Sequence, residues 1–429
     1  MNRFWSLAYS GIVIPLFWLA VQAAGLVNAK ARRGIRGRDT LFKDLERQMA
    51  VLPAGRRVWF HSSSLGEFEQ AKPIIAELKR RHPDVAVIVS FFSPSGIEHS
   101  RKYKLADVLT YIPFDTSANA ERFLNLLRPA AAVMVRYDIW PNHIRALHAR
   151  AIPTLIANAT MRERSKRHLP VALSFHRSVY ETIDDILTVA PSDADAFRRF
   201  GLTHPVIQAI GDTRYDQVCI RSVEARKRHI IPPAITAGKK IIVIGSSWPE
   251  DEDVILPPAL QLLEESPELL CIVVPHEPTE EHLEGLEHDL AGKTTFLRFS
   301  ALNEYAGERV IVVDSVGVLL ILYALAHIAY VGGSFRQGIH NVLEAAVYGV
   351  PVVFGPRHRN SHEPIMLVER GGGFVVNDDR EFYRTVRHLL DDDNARTAAG
   401  DRAARFVQSN VGATGRFLEH LERRLDAHS

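Results

Sequence analysis

Two glycines that close an apolar stretch, with Asn and Glu a few residues later, form a pattern suited to a phosphorylated ligand. The run is VGGSFRQGIHNVLEAA, residues 331–346. Gly332 and Gly333 let backbone amides approach a ligand closely. Asn341 stands where a helix would begin, and the N-terminus of a helix favours phosphate. Glu344 lies one turn further on, where its carboxylate could reach ribose hydroxyls. The same spacing also describes a tight turn with an Asn cap and an acidic first-turn residue. A second pattern is SSSLGE, residues 62–67. It follows a short apolar strand pattern and precedes a helical one. Glu67 there could take a proton from an acceptor hydroxyl, with Ser64 and Gly66 of the same turn beside the substrate. Ser64 and Glu67 also have the spacing of a capping box. The third is RYDIWP, residues 136–141. Arg136 and Asp138 share a face if the chain is extended, so they could address one ligand together or pair with each other.

Other polar groups carry weaker signals. His276, in VPHEP, ends a strand pattern where a phosphate or sugar could lie. The two histidines of HEPTEEH are six apart, which is not the zinc spacing of four. Asp251, Glu252 and Asp253 follow Trp248-Pro249 and read as the acidic first turn of a helix rather than a metal-binding acid pair. His358 and His362 are four apart, with no helical pattern around them. No metal site is expected. Cys219 and Cys271 lie far apart and have no redox or ligand spacing.

The elements that would position these groups alternate. Strand patterns occur at Arg57–His61, Val85–Phe91, Asp107–Tyr111, Ala131–Val135 and Thr154–Ala157, with helical patterns between them. The near-continuous apolar run at 85–91 suits a strand buried on both faces of a parallel sheet. A charged stretch with two prolines, Arg221–Gly238, reads as an interdomain connection. The alternation then restarts with strands at Lys240–Gly245, Leu269–Pro275, Val310–Val313, His327–Val331 and Val350–Phe354. Helices are expected over DSVGVLLILYALA, over VLEAAVYG, and along a tail from Asp392 to Ala427. The predicted fold is α/β, with two Rossmann-like domains facing across a cleft. The predicted domains are residues 31–220 for the acceptor and 235–429 for the nucleotide, the latter including the C-terminal helices.

Ahead of both, residues 1–30 form a segment of their own. Phe4 to Val27 contains no charged residue and is long enough to cross a bilayer. Lys30, Arg32, Arg33, Arg36 and Arg38 follow it, so the positive-inside rule places the remainder on the cytoplasmic side. A cleaved signal peptide would carry its basic residues ahead of the apolar run. Pro15, Ser6, Ser10 and Gln22 suit a helix lying in the interface. Spanning and interfacial readings both stand, and both make the membrane surface a partner.

The chain has 429 residues, 46% of them hydrophobic and 24% charged, values of a globular protein too long for a single core. With 52 Lys and Arg against 50 Asp and Glu, it lacks the charge excess of a nucleic-acid binder.

Taken in order, these motifs resemble the 3-deoxy-D-manno-octulosonic acid (Kdo) transferases of lipopolysaccharide synthesis. The most specific pieces are HSSSLGE, Trp140-Pro141-Asn142, IANAT (156–160), Gly211-Asp212, VPHEP, VGGSFRQGIHNVLEAA and FGP (354–356). The resemblance extends over nearly the whole chain. It implies a GT-B fold and inverting, metal-independent transfer, with no cofactor. The implied donor is CMP-Kdo and the implied acceptor the lipid A precursor, lipid IVA, at the cytoplasmic face of the bacterial inner membrane. Glu67 would be the general base and Asp138 the second acidic residue. Ser246, His276, Gly317, Asn341 and Glu344 would contact CMP, and amides from Gly333 onward its phosphate. Arg136 would meet the donor's carboxylate. Two motifs depart from the family: Arg136 and Asp138 stand where ETELWP has its two glutamates, and His276-Glu277 where Arg-His is common. The rival expectations are a GT-B transferase or epimerase using a UDP-sugar, and a non-catalytic membrane scaffold that keeps the fold.

Overall fold

The computed structural model describes residues 3–336 and 338–427. It divides into two compact units. One comprises the chain up to Gln217 together with the segment from Val411 onward; the other is Val218–Asn410.

The first unit holds a parallel sheet of seven strands: β1 (Arg57–Ser62), β2 (Ala86–Phe91), β3 (Val108–Tyr111), β4 (Ala131–Val135), β5 (Thr154–Ala159), β6 (Asp185–Thr188) and β7 (Val206–Ala209). Their order is β3-β2-β1-β4-β5-β6-β7. The central strands are apolar throughout because helices cover both faces. Ile88, Met134 and Ile156 point into one core layer, and Val58, Val87 and Val133 into the other. The chain winds outward from β1 in both directions, so the order reverses between β1 and β4. Ligands of such sheets bind at that reversal, beyond the C-terminal strand ends.

The second unit repeats the plan with β8 (Lys240–Ser247), β9 (Leu269–Pro275), β10 (Phe296–Arg298), β11 (Val310–Val312), β12 (Ile328–Val331), β13 (Val352–Phe354) and β14 (Gly373–Val375). The order β10-β11-β9-β8-β12-β13-β14 places the reversal between β8 and β12.

Several expectations need correction. The domain boundary of 235–429 fails at its end. The last helix, Ala413–Asp426, belongs to the first unit, where Phe417, Leu418, Leu421 and Leu425 are buried in the core. Asp216 anchors its start by accepting from the N–H groups of Gly412 (2.6 Å) and Thr414 (2.8 Å). The limit at 220 and the connection at 221–238 also shift, because the helix Thr213–Arg226 already carries the chain across the boundary. The apolar N-terminal helix, with a π-helical turn at Tyr9–Val13, runs from Arg3 to Val27 and packs on the first unit. Strands β6, β7, β10 and β14, of three or four residues each, stand outside the predicted series. The expected helix over 314–326 shrinks to Leu319–Tyr323, and the one after Asn341 to Leu343–Ala346.

Candidate active site

In the first unit the residues of interest gather at the β1/β4 reversal. His61, near the end of β1, is fully buried. Its Nδ1 lies 2.8 Å from Ser90 Oγ and its Nε2 3.0 Å from Asp138 Oδ2. Trp59 donates Nε1–H to Ser90 Oγ at 2.8 Å. Trp140 reaches Asp138 Oδ2 at 3.2 Å and His61 Nε2 at 2.9 Å. An indole nitrogen only donates, so the Trp140 N–H is shared between Asp138 Oδ2 and His61 Nε2. His61 and Trp140 together hold the Asp138 carboxylate at the strand end.

Glu67 enters from the first turn of the helix Leu65–Arg81 and is 8% exposed. Its Oε2 accepts from the Ser64 N–H at 3.2 Å, so the capping box forms. Burial raises its pKa first and the negative charge of Asp138 second; the Ser63 and Ser64 amides and His61 offset part of this. A carboxylate in that condition is a better proton acceptor than a free one. Capping and basicity thus coexist in one residue. Gly66, one position earlier, is exposed with open space where a Cβ would stand.

Arg136 and Asp138 do not pair, since Asp138 is taken by His61 and Trp140. Arg136 has φ of 65°, a conformation unfavourable for a residue with a Cβ and concentrated at functional sites. Its guanidinium lies 5.9 Å from the Tyr137 ring, and its Nε is buried without a hydrogen-bond partner. Such an arginine suits a planar anion.

The remaining motifs hold this arrangement in place. Asn158, also at positive φ (51°), sits at an irregularity near the end of β5. It donates to Gln70 Oε1 (3.2 Å) and Thr213 Oγ1 (2.6 Å), which ties the Glu67 helix to the sheet. Asp115, fully buried, accepts from the N–H groups of Asn142 (2.9 Å) and His143 (3.0 Å) and contacts His143 Nδ1 at 2.6 Å. It thereby fixes the start of the helix that follows Trp140. Neither Asp115 nor Gln70 has a motif signal in the sequence.

In the second unit the β8/β12 reversal brings together Ser246, His276 and the glycine loop. Ser246 has φ of 52°. A Cβ on Gly332 would come within 2.2 Å of the Ser246 carbonyl oxygen, and Gly333 has φ of 90°; only glycine fits at both. His340 lies beside this turn. Trp248 donates Nε1–H to His340 Nε2 at 2.9 Å, with the two rings nearly parallel (14°). Exposed His276 stacks on His340 at 4.2 Å. Burial, and then the neighbouring His276, lower the His340 pKa to about 4, so it is neutral at pH 7.

Asp251 is the residue the sequence conceals. It does begin a helix, accepting from the Trp248 N–H at 3.0 Å. It also takes the Gly333 N–H (2.7 Å) and the Tyr330 hydroxyl (2.9 Å), so this buried carboxylate clamps the glycine loop. Burial raises its pKa despite those donors. Ser334 extends the clamp to the FGP segment, accepting from the Gly355 N–H at 2.6 Å.

Asn341 is exposed and accepts from the Leu343 N–H at 3.2 Å, but the helix beyond it has only four residues. The full helix N-terminus expected after Asn341 therefore does not form, and loop backbone leads into Leu343 instead. Glu344 is held by Arg221 at 3.3 Å. Gly317 lies exposed in the loop after β11, at φ of 81°. Among the described residues no group of three His, Cys, Asp or Glu side chains is placed to hold a metal ion.

Two doubly wound units, each with polar groups at its topological reversal, are the architecture of the GT-B class. The same fold occurs in UDP-GlcNAc 2-epimerase from Neisseria meningitidis, bound to UDP-GlcNAc, with a TM-score of 0.58 and 14% identity over 86% of this chain and all of that one. Residues 32–217 match the family described as 3-Deoxy-D-manno-octulosonic-acid transferase (kdotransferase). A 3-deoxy-D-manno-octulosonic acid transferase of Haemophilus influenzae is 28% identical over 385 residues, covering 88% of this chain and 89% of that one. In Arabidopsis thaliana, the protein named "Probable 3-deoxy-D-manno-octulosonic acid transferase, mitochondrial" is 30% identical over 319 residues, covering 71% and 70%. The chain belongs to the 3-deoxy-D-manno-octulosonic acid transferase family.

Proposed function

We propose that this enzyme transfers Kdo from CMP-Kdo to the lipid A precursor, lipid IVA, with inversion and without a metal ion. The observation that carries the reading is Glu67: a buried carboxylate of raised pKa at the sheet reversal, beside an Asp138 oriented by His61 and Trp140. Glu67 takes the proton of the acceptor hydroxyl as that oxygen bonds to the anomeric carbon. The bond from that carbon to the phosphate oxygen breaks, and CMP leaves with the electron pair. One displacement on one face inverts the centre. Arg136 receives the donor's carboxylate, its unpartnered Nε supplying part of a planar fork. In the second unit Ser246, His276, Gly317, Asn341 and Glu344 contact CMP. Amides of the loop that begins at Gly333 carry the phosphate charge. Metal independence rests on family membership. The apolar helix attaches the enzyme to the membrane, with the basic cluster after it favouring the cytoplasmic face.

The test is incubation of purified protein with CMP-Kdo and lipid IVA, followed by mass spectrometry of the lipid. A product heavier by one or more Kdo residues supports the proposal. Turnover of UDP-GlcNAc with no Kdo transfer would replace it with the epimerase reading.

A further inference from the structure

The N-terminal helix is long and apolar enough to cross a membrane. Its contacts are distributed in a way that crossing does not allow. Near its start, Trp5 donates Nε1–H to Ser174 Oγ at 3.0 Å and packs edge-on against Phe175 at 5.8 Å. In its middle, Ser10 donates to Asn142 Oδ1 at 3.2 Å, and Phe17 lies 6.1 Å from Trp140 and 5.9 Å from Phe92. At its end, Gly25 packs so closely on Ile35 that a Cβ would come within 2.5 Å. Arg32 Nε donates to the Gly25 carbonyl at 3.0 Å. The next helix, Ala29–Asp39, is itself fixed to the unit, with Gly34 against Pro94 and Arg38 donating to the Ile112 and Phe92 carbonyls. Both ends of the helix are thus held by the first unit. From residue 5 to residue 25 a helix advances about 30 Å, roughly the thickness of a bilayer's hydrocarbon core. A spanning helix would have to give up one set of these contacts.

The opposite face is apolar and uncovered. Leu7, Ile12, Leu16, Leu19, Leu26 and Val27 are exposed. The patch also continues onto another part of the unit. Leu169 and Val171, at the start of the helix Pro170–Tyr180, are 59% and 71% exposed. With Phe175 they share a groove of about 410 Å³ with Trp5, Tyr9 and Val13. Lys30 and Arg36, both exposed, adjoin the helix's far end, where anionic headgroups would meet them.

We infer that residues 3–27 do not span the bilayer but lie in the plane of one leaflet. Together with Leu169 and Val171 they form a single membrane-facing surface whose occupant is lipid acyl chain. The residues a soluble helix would expose are those the leaflet covers. The polar Ser10 faces inward, and its hydrogen bond holds the helix to the unit.

The test uses the full-length protein in sealed membranes, with Cys219→Ser removing the half-buried thiol and Cys271 left in place because it is buried. Arg3→Cys and Lys30→Cys are labelled separately with a membrane-impermeant maleimide in right-side-out and inverted vesicles. Both positions should react from the same side. Reaction of Arg3→Cys only from the opposite side would overturn it. As an independent measure, Leu169→Asp with Val171→Asp should lower partition into phosphatidylethanolamine–phosphatidylglycerol vesicles at least tenfold, with unchanged circular dichroism. Undiminished partition would count against a shared surface.

Discussion

Glu67 closes a capping box and is the carboxylate whose basicity the neighbourhood raises. Because Asp138 contributes to that rise, Asp138→Asn should move the acidic limb of the pH–rate profile downward. The sign follows from charge: removing a nearby negative charge eases ionisation of Glu67, so the base is available at lower pH. An unmoved limb would disconnect the two carboxylates. Asp251→Ala would strip acceptors from the buried Gly333 N–H and Tyr330 hydroxyl. Each loss costs about 1–3 kcal/mol, so calorimetry should show CMP affinity falling at least tenfold. The sequence displays Glu67, Arg136 and Asp138 because strand-end motifs mark them. It hides Asp251 and Asp115 because a buried carboxylate that serves distant backbone N–H groups leaves no spacing of its own.

Among the elements, the strands with full apolar runs are readable, since burial on both faces demands them. The three-residue β10, β11, β13 and β14 are held by their neighbours in the sheet, and only β11 and β13 have runs strong enough to be seen. The C-terminal helix misleads for a related reason. Its apolar stripe says that it packs somewhere, but the partner is chosen by tertiary structure. Four of its side chains are buried in the first unit's core, worth on the order of 6–12 kcal/mol at about 1.5–3 kcal/mol each. Deleting residues after 410 should therefore unfold or aggregate the first unit, as seen in a lost thermal transition. Asp185 adds a pH signature. Its burial would raise its pKa, but hydrogen bonds from His420 and Arg424 overcome this and hold it below the ordinary value. A lowered folded-state pKa contributes stability at neutral pH that fades as acid protonates the group. His420→Ala should thus lower the melting temperature at pH 7 and have less effect once acid has protonated Asp185, below the ordinary carboxylate range, as differential scanning calorimetry would show.

In the whole molecule, one Rossmann-like unit is inserted in the sequence of another, because the first is completed only by the chain's final helix. The second is continuous and has its own core around Ile242, Val273 and Tyr330. Residues 212–410 expressed alone should therefore fold and bind CMP, with affinity within about tenfold of the full chain if its ligand groups are all its own. The doubly wound class follows from alternating apolar runs, whereas the strand order and the return of the chain at Val411 have no local signal. The central claim is that Glu67 supplies the base for Kdo transfer. Its most direct test is single-turnover transfer from CMP-Kdo to lipid IVA by Glu67→Ala beside the unaltered enzyme, with CMP affinity measured in parallel. The rate should fall by about 10²–10⁴ with an unchanged CMP dissociation constant; transfer at the unaltered rate would show that Glu67 is not the base.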